Sequence, residues 1–234
     1  NDVNKDGDTY IAYLFAGGES DAATARSVDF DGTDDYLSWA ATSDFAFGTG
    51  AYTVEFWIKP DTLSAGANFF NVATDNGFVV VVGDSKVAIN QYSVGDKVAT
   101  SAGPALGQWT HYALVREGTG SNETKIYENG ILVKTGTDAT NWSTTHTAGL
   151  GANAANSTQE YDGKISNFRI VKGTAVYTSS FRPPTQPLTN ITNTVVLCCN
   201  NSSVTGSTVT PGTISSNGDP TASTDSPFDD PDGF

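Results

Sequence analysis

The chain has 234 residues, of which 38% are hydrophobic and 11% aromatic, so it can bury a full core and is not disordered as a whole. Its 26 acidic and 12 basic residues give a formal net charge of −14, which argues against nucleic-acid binding because phosphate backbones need clustered Lys and Arg. The same acidity suits hard cations such as Ca²⁺, or serves only to keep the protein soluble. No stretch approaches the ~20 apolar residues of a membrane span, so membrane insertion is not expected. The chain contains no Met, as expected of a processed product or an internal piece of a larger protein.

Three segments in the first half of the chain have the pattern of strands. Residues 52–59 alternate between a Tyr-Val-Phe-Ile face and a Thr-Glu-Trp-Lys face, which is the period of a β-strand. Residues 78–82 are continuously apolar, as is typical of a central strand that is covered on both faces. Residues 109–116 predict another strand of this kind.

The clearest local feature is a β-hairpin. Residues 124–128 and 131–135 read as strands, and they flank the dipeptide Asn129-Gly130. An Asn-Gly pair tolerates positive φ at both central positions of a type I′ turn, whose twist matches the strands on either side.

Two more strands complete the pattern. Residues 164–171 follow a turn at residues 161–163, and residues 194–197 are predicted to be the last strand. Short strands at this spacing, without helices between them, predict an all-β fold in which two antiparallel sheets stack as a sandwich.

The composition changes after the last predicted strand. Residues 200–234 are rich in Ser, Thr, Asn, Gly, Pro and Asp, carry no Lys or Arg, and have Phe228 and Phe234 as their only aromatic residues. Too little apolar area is present there to offset the ordering entropy, so we expect an extended, linker-like tail. If the tail is ordered, a neighbouring subunit is the natural element to hold it. We therefore divide the chain into an N-terminal strand or linker (1–25), a sandwich (26–199) and an extended C-terminal tail (200–234).

The two cysteines, Cys198 and Cys199, are adjacent. A strand sends neighbouring side chains to opposite faces, and a bond between the two would close a strained eight-membered ring. We expect two thiols, at least one of them buried, or pairing between chains.

Five fragments in chain order carry a family resemblance. They occupy residues 30–37, 52–59, 108–116, 126–131 and 161–170. Together they resemble the laminin-G-like family, whose concanavalin-A-like jelly roll is similar to pentraxins and legume lectins, over roughly residues 26 to 200. Residues 172–188 and 9–15 further resemble the versions of this domain in structural and tail proteins of marine tailed phages.

The resemblance implies an antiparallel jelly roll whose loops at one edge bind carbohydrate or protein, often through Ca²⁺. Asp75 and Asn76, just before the strand at 78–82, match the Asp-Asn pair of the pentraxin-like pattern. A second loop supplies Asn153 and Glu160, which completes a predicted Ca²⁺ site whose oxygens come from separate loops. This chain has amides where pentraxins have several carboxylates, and the alternative is that these residues only close turns at strand ends.

The predicted ligand-binding residues lie on the same loops. They are Trp142, Asn153, Asn156 and Gln159. Trp142 lies in a polar stretch and is expected to be exposed, where it could stack on a sugar ring, whereas Trp57 and Trp109 are expected in the core.

A third acidic cluster comprises Asp31, Asp34 and Asp35. In the family this region is ordinarily a strand–turn–strand element. We therefore expect turn chemistry here rather than a metal site.

Catalysis is not expected. Glycosidases of this fold use two carboxylates that flank the scissile bond. Glu55 shares a strand face with Trp57, but no carboxylate follows it at i+2 or i+4, and the remaining Glu residues have no such neighbourhood either. Neither His111 nor His146 lies near a nucleophile motif.

These observations predict a non-enzymatic binding or structural module that is extracellular or on a virion surface. It would adhere to a glycan or a protein, or join neighbouring subunits in a phage fibre, tail or similar appendage. The neighbouring subunits could be copies of this chain, which would then form a homo-oligomer. The alternatives are a glycoside hydrolase or lyase of the same fold, and an architectural module without a ligand.

Overall fold

The computed structural model describes residues 26–64, 66–72, 74–155 and 158–228. The N-terminal segment 1–25, which holds the predicted strand or linker and the phage-like fragment at 9–15, lies outside these residues. Within them the chain forms sixteen strands and one short 3-10 helix, Ser43–Phe45. The strands are β1 (Ser27–Asp31), β2 (Tyr36–Trp39), β3 (Tyr52–Thr62), β4 (Ala67–Val72), β5 (Phe78–Gly83), β6 (Lys86–Gln91), β7 (Gly95–Ala99), β8 (Thr110–Arg116), β9 (Thr124–Glu128), β10 (Ile131–Gly136), β11 (Ala148–Leu150), β12 (Asp162–Lys172), β13 (Thr194–Cys198), β14 (Ser207–Val209), β15 (Ile214–Asn217) and β16 (Thr221–Ser223).

The strands form two antiparallel sheets. Sheet A has nine strands, in the order β10-β9-β8-β3-β12-β1-β16, with β13 paired to β12 and β14 to β13. Sheet B has seven, in the order β15-β2-β11-β4-β5-β6-β7. Neighbours in both sheets are often distant in sequence, as in a jelly roll. The predicted all-β, two-sheet sandwich is confirmed.

The core lies between the sheets. The period-two pattern of β3 turns Tyr52, Val54, Phe56 and Ile58 inward, where all four are buried. Across the core, the ring of Phe56 lies 4.3 Å from that of Phe69 on β4, measured between centroids. The alternation read from the sequence therefore assigned the two faces of β3 correctly.

The β9–β10 hairpin has the predicted turn. Asn129 and Gly130 have φ values of 47° and 74°, as a type I′ turn requires. Gly130 also has no room for a side chain, because a Cβ would overlap with the carbonyl oxygen of Phe181. The turn thus leaves space for a segment that passes over it.

That segment is residues 173–190, which we call the strap. It connects β12 to β13 and crosses the outer face of sheet A. Its start is held by Thr53, whose hydroxyl donates to the Thr174 carbonyl. Its end is held by Asn167, which accepts the backbone N–H of Leu188 from a β-bulge in β12, where its φ is 51°.

The expectation of a linker-like tail is wrong for residues 200–228. Here β14 pairs with β13, β15 with β2 at the edge of sheet B, and β16 with β1 at the edge of sheet A. Residues 194–197 are therefore not the last strand. Sheet edges supply backbone hydrogen-bond partners that need no apolar side chain, and Ile214 adds one buried side chain to the core. The chain itself, rather than a neighbouring subunit, holds this part of the tail.

Both cysteines are buried free thiols, with their sulfurs 3.8 Å apart. The prediction of two thiols, at least one of them buried, is confirmed. Cys199 adopts a φ of 56° where β13 ends. Burial raises the pKa of the Cys198 thiol well above its ordinary value, so this thiol is protonated at neutral pH.

Candidate functional site

A groove of about 570 Å³ lies on the outer face of sheet B. Its size is typical of pockets that hold small ligands. The lining residues come from β4, β5, β6, the β6–β7 turn and the loop before β12: Gly66, Asn68, Val81, Lys86, Asn90, Tyr92, Ser93, Val94, Gly95 and Gln159. We call it the sheet B groove.

The floor of the sheet B groove includes Val81, which belongs to an apolar patch on the outer face of the sheet. The alternation of β5 sends Val80 and Val82 into the core and leaves Val79 and Val81 on the outer face. Together with Ala88 on β6, the two outer valines form a second, smaller apolar cluster. The continuous apolar run at 78–82 therefore serves both faces of the sheet, and Tyr92 packs against its outer side.

One wall of the groove consists of two amides. The Nδ2 of Asn68 donates to the Oε1 of Gln159 over 2.6 Å, and the backbone N–H of Asn68 donates to the Gln159 carbonyl over 2.9 Å. Gln159 has a φ of 60° and is exposed. An amide has two N–H donors and an oxygen with two lone pairs, so this pair keeps capacity for a ligand.

The opposite wall is a network of three polar groups. The Nζ of Lys86 lies 2.5 Å from Oδ2 of Asp96, and Nδ2 of Asn90 donates to Oδ1 of the same carboxylate over 2.7 Å. All three side chains retain exposure. The network fixes a carboxylate whose remaining lone pairs can accept hydroxyl groups, and an ammonium that is already neutralised.

One of the predicted site residues lines the sheet B groove, and two others are hydrogen-bonded to the segment at residues 91–93 beside it. Gln159 lines the groove directly. Asp75 accepts a hydrogen bond of 2.7 Å from the hydroxyl of Ser93, which is itself a lining residue. Asn76 accepts one of 3.4 Å from Gln91 at the end of β6.

Two predicted ligand-binding residues, Trp142 and Asn153, are buried, and the expectation that Trp142 is exposed is wrong. Trp142 is only 2% exposed, because its indole packs edge-on against Phe78 and donates to Asp138 over 2.9 Å. Its polar sequence neighbours misled the prediction, since the backbone of Trp142 forms a bridge to Gly48 while its ring turns inward. Asn153 is also 2% exposed and accepts the N–H of Ala155 as a local turn.

The remaining sequence-based assignments are placed as follows. Asn156 lies outside the described residues. Glu160 is half-buried and lines a separate depression of about 310 Å³ that it shares with Gln159. Asp75 accepts a hydrogen bond from Ser93, and Asn153 accepts one from its own loop. The predicted four-residue Ca²⁺ site stays a prediction. Trp109, expected in the core, is half-buried, and its indole N–H donates to Asp225.

The carboxylates that do converge among the described residues lie elsewhere. Asp31, Asp34 and Asp219 each offer an oxygen within 4.8 Å of the others, and all three are exposed. This group could hold a metal ion, since carboxylate oxygens from separate loops are what hard cations bind. The sequence indicated the first two, but Asp219 comes from the segment that we expected to be a tail.

Asp35 stands behind this cluster and is buried. Its two oxygens accept the N–H of Asp31 over 3.0 Å and of Asp219 over 2.7 Å, which ties the C-terminal segment to the β1–β2 turn. Burial raises the pKa of Asp35, with a contribution from the charges of Asp31 and Asp219. The turn chemistry expected here is therefore present, and the convergent carboxylates lie beside it.

Glu55, the carboxylate weighed as a catalytic group, lies under the strap on sheet A and is fully buried. Its Oε1 accepts two hydrogen bonds from Arg169, at 2.8 and 2.6 Å, and its Oε2 accepts one of 2.8 Å from Tyr177 on the strap. The Nε2 of His111 lies 3.5 Å from Oε2. Burial raises the pKa of Glu55, but His111 and the Arg169 charge outweigh it, so the pKa lies below its usual value. An ionised, enclosed carboxylate of this kind is not placed to act on a polysaccharide.

Sequence reasoning missed Lys86, Asn90, Tyr92 and Asp96. The signal was present in β6, where Val87 and Ile89 alternate with Lys86, Ala88 and Asn90. This alternation marks an outer face, but it does not show that a neighbouring turn and loop raise walls beside it.

Comparison with solved structures shows the fold. A putative carbohydrate binding protein from Bacteroides ovatus matches with a TM-score of 0.57 at 12% identity, over 86% of this chain and 60% of that one. Domain 4 of AbnA, a GH43 extracellular arabinanase from Geobacillus stearothermophilus solved with arabinotriose, matches with a TM-score of 0.50 at 22% identity, over 64% of this chain and 72% of that one. The NanB sialidase of Streptococcus pneumoniae matches with a TM-score of 0.50 at 17% identity, over 68% of this chain and 29% of that one.

A search of curated protein sequences found no match. The described residues contain no helix with the length and hydrophobicity needed to cross a bilayer. Residues 31–176 match the family model described as the concanavalin A-like lectin/glucanases superfamily, and the chain therefore belongs to this superfamily.

Proposed function

We propose that this protein is a non-enzymatic glycan-binding module and that the sheet B groove is its binding site. The observation that carries the proposal is the composition of the groove, in which amides and a lysine that is ion-paired to the neighbouring Asp96 surround an apolar floor. Sugar rings present hydroxyl groups at their edges and C–H groups on their faces, so polar walls and an apolar floor with an aromatic neighbour suit them. The carbohydrate-binding proteins of similar fold support the same reading.

The groove favours binding over hydrolysis. Among its described lining residues none is Asp or Glu, and the nearby Asp96 is held by Lys86 and Asn90. Glycoside hydrolysis needs two carboxyl groups on either side of the bond, ~5–9.5 Å apart. Reducing-sugar release from a polysaccharide panel separates the alternatives, and we expect none above a buffer control. Release that is lost in the variant Asp96→Asn would establish a hydrolase at this groove.

Binding is tested by affinity gel electrophoresis of the full chain against soluble polysaccharides. We expect retardation by at least one of them, and a loss of about tenfold in affinity for Asn90→Ala or Tyr92→Ala, since one lost hydrogen bond or stacking contact costs ~1–1.5 kcal/mol. Asn190→Ala on the exposed end of the strap is the matched control and should bind as the unmodified chain does. Equal binding by all variants would place the site elsewhere. The same gels with Ca²⁺ and with EDTA test the predicted calcium dependence.

A second candidate, subunit joining, is favoured by β10. This strand forms one edge of sheet A and exposes three consecutive apolar residues, Ile131, Leu132 and Val133. An edge strand with exposed apolar side chains can pair with another chain. We propose that β10 meets the same strand of a second copy. Light scattering at increasing protein concentration should then show a dimer that Val133→Lys converts to a monomer, and a monomer at every concentration would exclude this contact.

For the setting, we propose an extracellular or virion-surface assembly such as a phage tail or fibre. The support is the sequence resemblance of residues 172–188, which include most of the strap, to phage structural proteins. Mass spectrometry of purified particles should find the polypeptide at structural copy number. Its presence only in the lysate of infected cells would count against a virion role.

A further inference from the structure

We infer that the sheet B groove selects uncharged glycans and excludes those that carry carboxylates or sulfates. The inference rests on the proposed function and specifies its ligand class. It follows from how the groove handles charge rather than from its shape.

The groove has one cationic side chain among its described lining residues, Lys86. Its ammonium lies 2.5 Å from the Asp96 carboxylate, so it is already neutralised. A carboxylate or sulfate on a ligand would have to displace Asp96, and that would strip Asp96 of the Lys86 contact while leaving its hydrogen bond from Asn90. Recognition of acidic groups usually employs an unpaired Arg or Lys in bidentate or point contact, and the groove offers neither.

The surroundings of the groove add to the exclusion. The hydrogen bond from Ser93 to Asp75 places the Asp75 carboxylate beside the rim of the groove. The three charges of Lys86, Asp96 and Asp75 add up to −1. The whole chain has a formal net charge of −14. At low ionic strength the Debye length is ~30 Å, so the field of the whole surface reaches an approaching polyanion.

The polar groups that remain available match hydroxyl groups. Asn68 and Gln159 keep amide donors or acceptors beyond their mutual bond, as Asn90 does beyond its bond to Asp96, and the Asp96 oxygens can accept further hydrogen bonds. Neutral sugars supply both donors and acceptors at each hydroxyl, so they satisfy these groups without requiring a cation.

The test compares polysaccharides that share a backbone but differ in charge. The pairs are fully methyl-esterified and de-esterified polygalacturonan, hydroxyethyl and carboxymethyl cellulose, and dextran and dextran sulfate. Affinity gels of the full chain are run at 20 mM and 300 mM NaCl. For each pair that binds, we expect at least tenfold weaker binding to the charged member at 20 mM, and a smaller difference at 300 mM.

Two variants keep the inference falsifiable. Asp96→Asn frees the Lys86 ammonium and should reduce the ratio of affinities for the neutral and charged members at least threefold. Asp84→Asn removes an exposed charge on the β5–β6 turn and should leave this ratio unchanged. Equal or tighter binding of the charged members by the unmodified chain would overturn the inference while leaving glycan binding intact. Binding to no member of any pair, nor to arabinan or galactomannan, would overturn the proposed function and the inference with it.

Discussion

The two sheets of the sandwich treat their outer faces in different ways. The outer face of sheet A is covered by the strap and by the C-terminal segment, which bring Tyr177 onto Glu55 and Phe228 onto Trp57. Among the described residues, the loop after β11 packs on part of the outer face of sheet B, where the Ala152 carbonyl accepts a hydrogen bond from Asn71 on β4, and the groove lies on the same face. In the described residues, packed segments thus close the outer face of sheet A, whereas that of sheet B carries a groove.

An ion pair on each face makes the contrast concrete. On sheet A, Glu55 and Arg169 meet at 2.6 Å with side chains that are 0% and 5% exposed. On sheet B, Asp96 and Lys86 meet at 2.5 Å with side chains that are 27% and 31% exposed. Buried pairs become expensive to break because the surviving partner is left uncompensated, whereas water and salt compensate the members of an exposed pair.

The largest predicted effect is therefore at Glu55. Glu55→Gln should lower the free energy of unfolding by about 3–5 kcal/mol, because Arg169 is left as a buried, unpaired charge. Asp96→Asn, the matched change on the open face, should cost at most about 1 kcal/mol. Urea denaturation monitored by tryptophan fluorescence measures both. Similar costs for the two variants would abolish the distinction between the faces.

The stabilisation that Glu55 contributes on the covered face should depend on pH. Its pKa is lowered in the folded state, so its contribution is present above the unfolded pKa of about 4.3 and is lost as pH falls through the folded pKa. The difference in stability between the unmodified chain and Glu55→Gln should accordingly be constant above about pH 5 and shrink below it. A difference that is independent of pH down to pH 3 would mean that the pKa of Glu55 is not lowered in the folded state.

The next effect in size concerns the attachment of the strap. The ring of Phe181 stacks on Tyr177 at 3.6 Å between centroids and meets Tyr127 and His111 edge-on. Because Phe181 is half-buried, Phe181→Ala should cost about 2–3 kcal/mol, less than full burial would give. Tyr92→Ala on the open face should cost under about 1 kcal/mol. If thermal unfolding shows that Tyr92→Ala costs more than about 1 kcal/mol, the apolar floor of the groove is a structural core rather than a recognition surface.

The sequence predicted which residues form strands better than it predicted which side chains are buried. The alternation of β3 placed Glu55 and Trp57 on one face, and Trp57 was expected in the core. Nothing in the pattern showed that this face is the outer one, buried beneath the strap and the C-terminal segment. Burial there depends on contacts between residues more than 100 positions apart, such as Tyr177 with Glu55. Trp142 was assigned to the surface for a related reason, since local polarity does not show which way a side chain turns. The hairpin at Asn129 was predicted in full because its conformation is set by two adjacent residues.

The composition of residues 200–228 misled the prediction in another way. Apolar content measures whether a segment can form a core of its own, but β15 and β16 bind to sheet edges that already exist. The cost of ordering them is offset by backbone hydrogen bonds and by a few side-chain contacts. Sequence composition describes the segment, whereas its order depends on the surface that it meets.

A smaller effect is expected where the C-terminal segment contacts sheet A. Asp225 accepts hydrogen bonds from Lys59 over 2.8 Å and from Trp109 over 2.9 Å. Its side chain is 35% exposed, so Asp225→Asn should cost about 1 kcal/mol or less. Burial raises the pKa of Asp225, but the bonds from Lys59 and Trp109 outweigh it, so the cost should disappear as pH falls below about 3.9. Asp84→Asn, on an exposed turn, serves as the control in the same urea titrations, and a loss equal to that of Asp225→Asn would show that the tail contact adds nothing.

The smallest predicted effect has the opposite sign. The carboxylates of Asp31, Asp34 and Asp219 lie within 4.8 Å of one another and are exposed, so without a cation they repel. In EDTA at low salt, Asp34→Asn should slightly raise the melting temperature, and the gain should vanish in ~1 M NaCl, where the Debye length is ~3 Å. The same measurement with added Ca²⁺ tests whether the cluster binds an ion. An ion held by the three carboxylates would stabilise the unmodified chain, whose melting temperature would then exceed that of Asp34→Asn. A variant that is less stable than the unmodified chain in EDTA would mean that backbone N–H groups, rather than a missing cation, already compensate the cluster.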